Sequence, residues 1–364
     1  MIEPLLNYGP FHRIWPAADR IGNIYITVSS VRSFANPICK FFKSDDLGNS
    51  WIELADFLSM DEKNSTTGQP FVSREGLILA SVWDSSYYQF GKTWLAIYRS
   101  NDDGLNWDIV YSNPAATYGK HFFEGDRQGE VYLCAGIGGG GSEGEVHYAP
   151  ARGLLLRSLD SGKSWDICLE VDSPTALYDG TVSNGITIVS ARERGSIFRS
   201  DDSAKTWSEV RLGAAARNVS RIGSNIVVSS DSAIFISRDE GCSWIKRKSP
   251  LRNLVLRYPT LLQDQILMTG VGWRSLILAT DLEGNEWRIS LDATKFARSK
   301  FMTRLATARE YFFLGDEIEA GVLLRVAANS LKRGHTFPYS ILSRLGSIDD
   351  SFDAPRLGFD ARNT

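Results

Sequence analysis

Short apolar runs alternate with polar turns along nearly the whole chain. Phe11–Ile14, Asn23–Ser29 and Ile38–Lys43 each combine β-branched and aromatic residues in a stretch of strand length. A second trio with the same rhythm lies near His121–Phe123, Glu130–Ala135 and Gly153–Arg157. A third lies near Phe301–Ala306, Tyr311–Leu314 and Val322–Ala327. Three strands and then a turn, repeated, predict small antiparallel sheets in series.

The turn that ends most of these trios is itself a repeat. Ser44-Asp-Asp46-Leu-Gly48-Asn-Ser-Trp51 sets a pattern of Ser, Asp, Gly and Trp at positions 1, 3, 5 and 8. Three more octets match it fully: Ser100 to Trp107 with Asp102, Ser158 to Trp165 with Asp160, and Ser237 to Trp244 with Asp239. Ser200 to Trp207 keeps Asp202 but has Ala204 in place of glycine, and Thr280 to Trp287 has Leu282 where the aspartate is expected. The tryptophans are 56, 58, 42, 37 and 43 residues apart, enough for one four-stranded unit each. Each residue type has a task in a tight turn. The carboxylate accepts main-chain N–H groups, glycine reaches φ > 0, and the indole packs back under the turn. A further echo links Asp19-Arg20-Ile-Gly22-Asn-Ile-Tyr25 with Asp126-Arg127-Gln-Gly129-Glu-Val-Tyr132.

In these octets the chain resembles the Asp-box (BNR-repeat) β-propellers of the sialidase-like superfamily, over residues of about 10 to about 330. The resemblance implies an all-β propeller of four-stranded antiparallel blades. Six boxed units and a last unit without a box predict seven blades, and six is the alternative. Residues 1–335 are expected to form one propeller domain, and 336–364 a closing strand and polar tail. In such a blade the box lies on the turn between the third and fourth strands. The opposite face, around the mouth of the central channel, receives the connections between blades and the turns between second and third strands. Loops on that face carry function.

Several arginines, aromatics and carboxylates map there. Arg13, Arg32, Arg192, Arg194 and Arg274, with His147 and Trp273, are the candidates for substrate binding. Guanidinium groups grip carboxylates through paired hydrogen bonds, and aromatic rings suit sugar faces. Asp84, His121, Tyr178 and Glu193 are the candidates for catalysis. Phe11-His-Arg13-Ile14-Trp-Pro16 is similar to the Phe/Tyr-Arg-Ile-Pro motif of sialidases, with two insertions. The resemblance makes Arg13 one of three carboxylate-binding arginines, with Arg192 or Arg194, and Arg274, as the others. It also implies a tyrosine nucleophile paired with a glutamate, for which Tyr178 or Tyr311 is the candidate tyrosine. The family's acid/base aspartate has no counterpart in Val31–Pro37, so ordinary sialidase activity is not expected and Asp84 of the next unit is the candidate substitute.

The resulting expectation is a glycoside hydrolase acting on an acidic oligo- or polysaccharide at the channel mouth. A non-catalytic propeller binding a polysaccharide or a protein partner is the alternative, and a lyase using His121 or His147 with a tyrosine is the third reading. Composition narrows the field further. The formal net charge is −3, without the basic excess that nucleic-acid binding needs. No run approaches the roughly 18 apolar residues of a membrane span. The N-terminus has no basic segment followed by an apolar one, so a cytoplasmic location is expected unless export is by another route or a leader has been removed. Cys39, Cys134, Cys168 and Cys242 have no metal-like spacing and are expected to be free, buried thiols. The histidines are not at metal spacing, and Gly138–Gly141 is not followed by Lys-Ser/Thr, so neither a metal nor a phosphate-loop cofactor is expected.

Overall fold

A computed structural model describes residues 2–7, 12–30, 38–57, 65–73, 75–84, 94–137, 152–172, 175, 177–231, 233–249, 251, 254–271, 275–292, 306–308, 311–315, 322–327 and 335–336. Among these the regular elements are all strands. They form seven antiparallel sheets, the blades of a β-propeller. The chain starts with β1 (Ile2–Asn7), then enters blade 1 as β2 (His12–Ala18), β3 (Ile24–Ser30), β4 (Cys39–Ser44) and β5 (Ile52–Asp56). Blade 2 holds β6 (Ser65–Thr67), β7 (Phe71–Val72), β8 (Ile78–Asp84), β9 (Leu95–Ser100) and β10 (Asp108–Asn113). Blade 3 holds β11 (Ala116–Glu124), β12 (Val131–Ile137), β13 (Arg152–Ser158) and β14 (Asp166–Asp172). Blade 4 holds β15 (Leu177–Ser183), β16 (Ile186–Ala191), β17 (Ser196–Ser200) and β18 (Ser208–Arg211). Blade 5 holds β19 (Val219–Ile222), β20 (Asn225–Ser229), β21 (Ala233–Ser237) and β22 (Ile245–Lys248). Blade 6 holds β23 (Val255–Leu262), β24 (Gln265–Val271), β25 (Ser275–Asp281) and β26 (Trp287–Asp292). Blade 7 holds β27 (Ala306–Ala308), β28 (Tyr311–Gly315) and β29 (Val322–Ala327), and β30 (His335–Thr336) follows.

Burial follows position in the blade. The middle strands β3, β20 and β21 are buried at every residue, because both faces of each sheet meet a neighbouring sheet. The outermost strands β10 and β22 have no buried residue and are at least half exposed. The core is therefore a series of apolar wedges between blades. Tyr25, Phe41 and Phe57 of blade 1 pack with Ile78, Val82 and Tyr98 of blade 2. Blades 3 and 4 meet through Leu155, Leu177 and Val189, and blades 5 and 6 through Val227, Ile236 and Met268. Leu323 of blade 7 packs with Ile14, Ile26 and Val28 of blade 1.

The ring is closed by the N-terminal end of the chain. Strand β1 pairs antiparallel with β29 and becomes the outermost strand of blade 7. This pairing covers an edge that would otherwise present open N–H and C=O groups. At the boundary where a closing strand was expected to begin, His335–Thr336 adds a fifth strand to blade 6 beside β26, and residues 337–364 lie outside the described residues.

Each octet is a turn between the third and fourth strands, held by one repeated set of hydrogen bonds. In the first, Ser44 Oγ donates to Asp46 Oδ1 at 2.8 Å and accepts from Gly48 N at 2.8 Å. Asp46 accepts the Ser50 main-chain N–H at 2.9 Å and its hydroxyl at 2.6 Å. Asp102, Asp160, Asp202 and Asp239 make the same pair of bonds to the seventh octet residue. In the first five octets the fourth and fifth residues are both left-handed, as in Leu47 (φ 61°) and Gly48 (φ 90°), and in the sixth Gly284 (φ 71°) is. Ala204 adopts this region at φ 61° and its turn is otherwise intact. Its tryptophan differs: Trp207 Nε1 donates to Cys168 O of blade 3, whereas Trp51, Trp107, Trp165, Trp244 and Trp287 donate to the glycine carbonyl of their own turn. In the sixth octet Leu282 does not mark a lost carboxylate. Asp281, one residue earlier, accepts from Asn285 N and Glu286 N at 2.7 and 3.1 Å.

The fourth residue turns its carbonyl, or its side chain, toward the preceding blade, where a cation takes it. Arg99 Nε donates to Ser161 O, Arg157 Nη1 to Ser203 O, Arg199 Nε to Glu240 O and Arg247 Nε to Glu283 O, at 2.8–2.9 Å. Lys43 pairs with the Asp103 carboxylate. Arg325 Nη1 donates to Leu47 O at 2.9 Å and carries the series across the closure from blade 7 to blade 1. Lys43, Arg99, Arg157 and Arg199 each stand immediately before the serine of their own octet, a regularity readable in the sequence.

All four cysteines are free. Cys39 and Cys134 are buried as expected, but Cys168 is half-buried and Cys242 is exposed, because the sixth octet position points to solvent.

Two outcomes are expected. Trp165 is 8 % exposed in the wedge between blades 2 and 3. Trp165→Ala should lower stability by roughly 3–5 kcal/mol in denaturant unfolding, and an unchanged midpoint would show that the ring does not hold the wedge. The octet carboxylates also make stability acid-sensitive. Hydrogen bonds from Ser50 and Ser44 hold Asp46 down to about 2, and bonds from Ser243 and Ser237 do the same for Asp239. Their folded values lie below the ordinary value of about 4, so their contribution is full above that pH and is lost as pH falls through about 2. Thermal unfolding should show the melting temperature dropping through this window, with a shallower drop in Asp46→Asn and Asp239→Asn.

Candidate functional site

The innermost strands line the central channel, and most of them are irregular at one level. Strand β11 slips register against β12 between Gly119 and His121, β15 against β16 between Leu177 and Gly180, and β23 against β24 between Arg257 and Thr260. In blade 5, Arg217 N and Asn218 O both bond to the main chain of Ser229 just ahead of β19. In blade 2 the inner strand is broken between β6 and β7, where Gly68 N bonds to Ser81 O and Gln69 N to Lys120 O. A Cβ on Gly68 would lie 2.7 Å from Lys120 O, so only glycine lets these blades approach so closely. Bulges re-aim the side chains beside them, and here they turn polar groups inward. Tyr258 sits in such a bulge at φ 53°, a conformation that costs a side-chain-bearing residue energy and marks sites the surrounding structure enforces.

The channel is plugged by rings at this level. His121, with none of its surface exposed, lies 5.7 Å from Trp15, 5.2 Å from Tyr178 and 5.9 Å from Tyr258, centroid to centroid. These four residues come from blades 1, 3, 4 and 6. Against this plug sits a layer of charge. Lys120 Nζ is 5.3 Å from the Trp15 ring centre and 5.1 Å from that of Tyr178, and the Arg192 guanidinium is 5.9 Å from Tyr178. Arg217 and Arg257 are buried beside them. Burial, and next the charge of Arg192, pull the Arg217 guanidinium below its ordinary value; Arg257 acts the same way and Asp231 against it.

A hydrogen-bonded chain spans three blades under this layer. The buried Asp179 accepts from Gly180 N at 2.9 Å and from Asn218 Nδ2 at 3.1 Å. Asn218 Oδ1 in turn accepts from Tyr258 N at 3.3 Å, which fixes the left-handed residue. Ser190 Oγ bonds to Arg217 O, and Arg217 Nε pairs with the Asp231 carboxylate. Glu193 lies 3.5 Å from Arg192. Tyr118, beside Glu193 and Tyr178, donates to Leu177 O at 3.3 Å, and burial raises its pKa well above the ordinary phenol value.

The structure gathers some of the sequence-predicted residues and not others. His121, Tyr178, Arg192 and Glu193 meet in the layer. His121 is packed inside the plug instead of being presented to a ligand. Arg13 lies on β2 opposite Ser29, two residues before Trp15. Asp84 ends β8, paired in register with Ser65. Arg194 does not join: it reaches the outer strand β18 and pairs with Glu209 through two bonds of 2.7 and 2.9 Å. Arg32, His147, Trp273 and Arg274 lie outside the described residues. Arg217, Asn218, Arg257 and Tyr258 were not singled out from sequence. Their signal is an arginine at the start of an inner strand, the position Arg13 also holds. Among the described residues no group of three or more His, Cys, Asp or Glu is placed to hold a metal ion.

Removing the central amide of the chain across blades 4 to 6 should be costly. Asn218→Leu leaves the Asp179 carboxylate buried with one donor fewer, and chemical denaturation should show a loss of about 2–4 kcal/mol. A neutral result would mean that the chain does not organise the layer.

No protein-family model matches this chain, and no curated protein matches it in sequence. Solved structures do match in fold. A structure of YCF48 bound to D1 peptide has a TM-score of 0.62 at 13% identity, covering 90% of this chain and 95% of that one. YCF48 from Cyanidioschyzon merolae has a TM-score of 0.58 at 10% identity, covering 90% and 99%. An α-L-arabinofuranosidase from Fusarium graminearum, in complex with an iminosugar inhibitor, has a TM-score of 0.45 at 15% identity, covering 76% and 98%. The first two likenesses show the propeller fold.

Proposed function

We propose that the chain is an Asp-box propeller of the sialidase-like kind whose channel mouth binds an acidic oligo- or polysaccharide. The observation that carries the binding site is the layer of Lys120, Arg192, Arg217 and Arg257 packed on the ring plug. Cations held close together and partly out of water are mutually unfavourable until an anion joins them. The repeated octets, which the sialidase-like propellers share, support carbohydrate as the carrier of that anion.

Binding is favoured over hydrolysis by how the carboxylates of this layer are used. Asp179 accepts from Asn218 and Gly180, Asp231 is paired with Arg217, and Glu193 lies against Arg192. A general acid or base must reach the reacting proton of the substrate. These carboxylates are instead engaged by main-chain, amide and guanidinium groups of the protein itself.

An array of acidic oligosaccharides, with product analysis of every hit, tests this reading. Binding without cleavage is expected. Arg192→Ala should weaken it by about 2 kcal/mol, the size of a lost charge-assisted hydrogen bond, and unchanged affinity would remove the layer from the site. Cleaved product would establish a glycosidase or lyase and direct mutagenesis to Asp84, Tyr178 and Glu193. Binding of acidic peptides with no glycan bound would replace the reading with a protein-interaction propeller.

A further inference from the structure

The outer edge of blade 5 differs in charge from those of its neighbours. Strand β22 reads Ile245-Lys246-Arg247-Lys248, with all but Arg247 exposed. The fourth strands of blades 1 to 4 and 6, which are β5, β10, β14, β18 and β26, each carry at least one carboxylate, and β22 carries none. Arg247 is committed to the ring, since its Nε donates to Glu283 O of blade 6. Lys246 Nζ stands over the Phe235 ring of its own blade, and among the described residues neither Lys246 nor Lys248 has an ion-pair partner. Side chains alternate along a strand, so Ile245 shares the side of Arg247, and Lys246 and Lys248 stand together on the other. The main chain of this edge is open as well. Strand β22 pairs with β21 and, among the described residues, with no other strand. The next two edges of the ring are covered: blade 6 takes β30 beside β26, and blade 7 takes β1 beside β29.

We propose that β22 is a docking edge for an extended acidic segment of a partner protein, which adds to blade 5 as a fifth, antiparallel strand. In such strand addition main-chain hydrogen bonds supply affinity and alternate side chains supply specificity. Read from its N-terminus, the incoming strand places an acidic residue opposite Lys248, any residue opposite Arg247, a second acidic residue opposite Lys246 and an apolar residue opposite Ile245. Opposite charges facing each other across a strand pair are favourable and like charges are not. Lysines on an open edge also deter sheet-to-sheet pairing, so this edge rejects basic strands while admitting one whose carboxylates alternate. A second copy of the chain fits poorly. Of its own outer strands only β14 has carboxylates at alternate positions, Glu170 and Asp172, and Arg152 already faces both. The docking edge lies on the circumference, away from the channel, and is independent of the glycan reading.

Titration of the full chain with a fluorescent, end-capped peptide of sequence Thr-Glu-Thr-Glu-Val-Thr gives the test. Saturable binding that weakens with added salt is expected, and the same peptide with lysine for glutamate should not bind. Two further peptides carry N-methyl groups on alternate backbone nitrogens. Only alternate N–H groups of an added strand face the sheet, so one of the two should lose binding and the other keep it. Lys246→Gln with Lys248→Gln should weaken the parent peptide about 3- to 10-fold, and Lys246→Glu with Lys248→Glu at least about 10-fold. Both pairs are exposed, so the melting temperature of the free protein should not fall. Arg192→Ala should leave peptide affinity unchanged; a loss there would place the peptide at the channel layer and overturn the docking edge. Absence of saturable binding, equal binding by both N-methylated peptides, or affinity unaltered by the lysine replacements would each overturn it too. Sedimentation showing a dimer that Lys246→Glu with Lys248→Glu dissociates, with no peptide bound, would assign the edge to a second copy instead.

Discussion

A carbonyl exposed by a left-handed residue at the tip of four of the octet turns, and grasped by a cation of the preceding blade, is the contact on which the ring depends. The turn satisfies its own donors through the octet serine and aspartate, which leaves that acceptor free to face outward. Arg99, Arg157, Arg199 and Arg325 donate to it across four junctions, one of them the closure. The apolar wedges supply most of the burial, but they are non-directional. The arginine bonds add direction, fixing how far each blade is rotated against the next. Ala204 and Asp281 show what is conserved within this chain. The left-handed backbone and a carboxylate at the turn are kept even where the octet letters change.

That rigid periphery bears on the interior. A ring of blades held at the rim and in the wedges can hold irregular inner strands without splaying. The bulges near Lys120, Tyr178 and Tyr258 forgo regular pairing, and Tyr258 adopts a strained φ. Their common effect is to turn charged and aromatic side chains toward the axis at one level. The chain of Asp179, Asn218 and the Tyr258 main chain then ties blades 4, 5 and 6 into one unit behind the cations. A site supported in this way is preorganised: the ligand need not order the groups that meet it.

The chemistry follows from charge in a partly dry place. Lys120 and Arg192 are stabilised by the faces of Trp15 and Tyr178, and Arg217 by Asp231, yet Arg217 Nη1 has no hydrogen-bond partner among the described residues. The same arrangement that binds an anion well leaves the nearby carboxylates occupied as acceptors, which favours recognition over acid–base chemistry.

The sequence by itself determined the repeat, the strands around it and the turn chemistry, because an octet closes on itself within eight residues and needs no distant partner. It also singled out His121, Tyr178, Arg192 and Glu193, which the fold brings together around the Tyr178 ring, since position in a blade follows from position relative to the octet. It could not separate Arg192 from Arg194. The two are two residues apart in a turn, and only the fold sends one to the Tyr178 ring and the other to Glu209 on the outer edge. Tertiary structure alone decided that β1 closes blade 7, because its partner β29 is some 320 residues away in the chain, from Ile2 to Val326. It alone brought Arg217 and Arg257 into the layer. Neither lies in a motif, and both acquire their role from the convergence of inner strands on a common axis, where groups from separate blades share one small, poorly hydrated space.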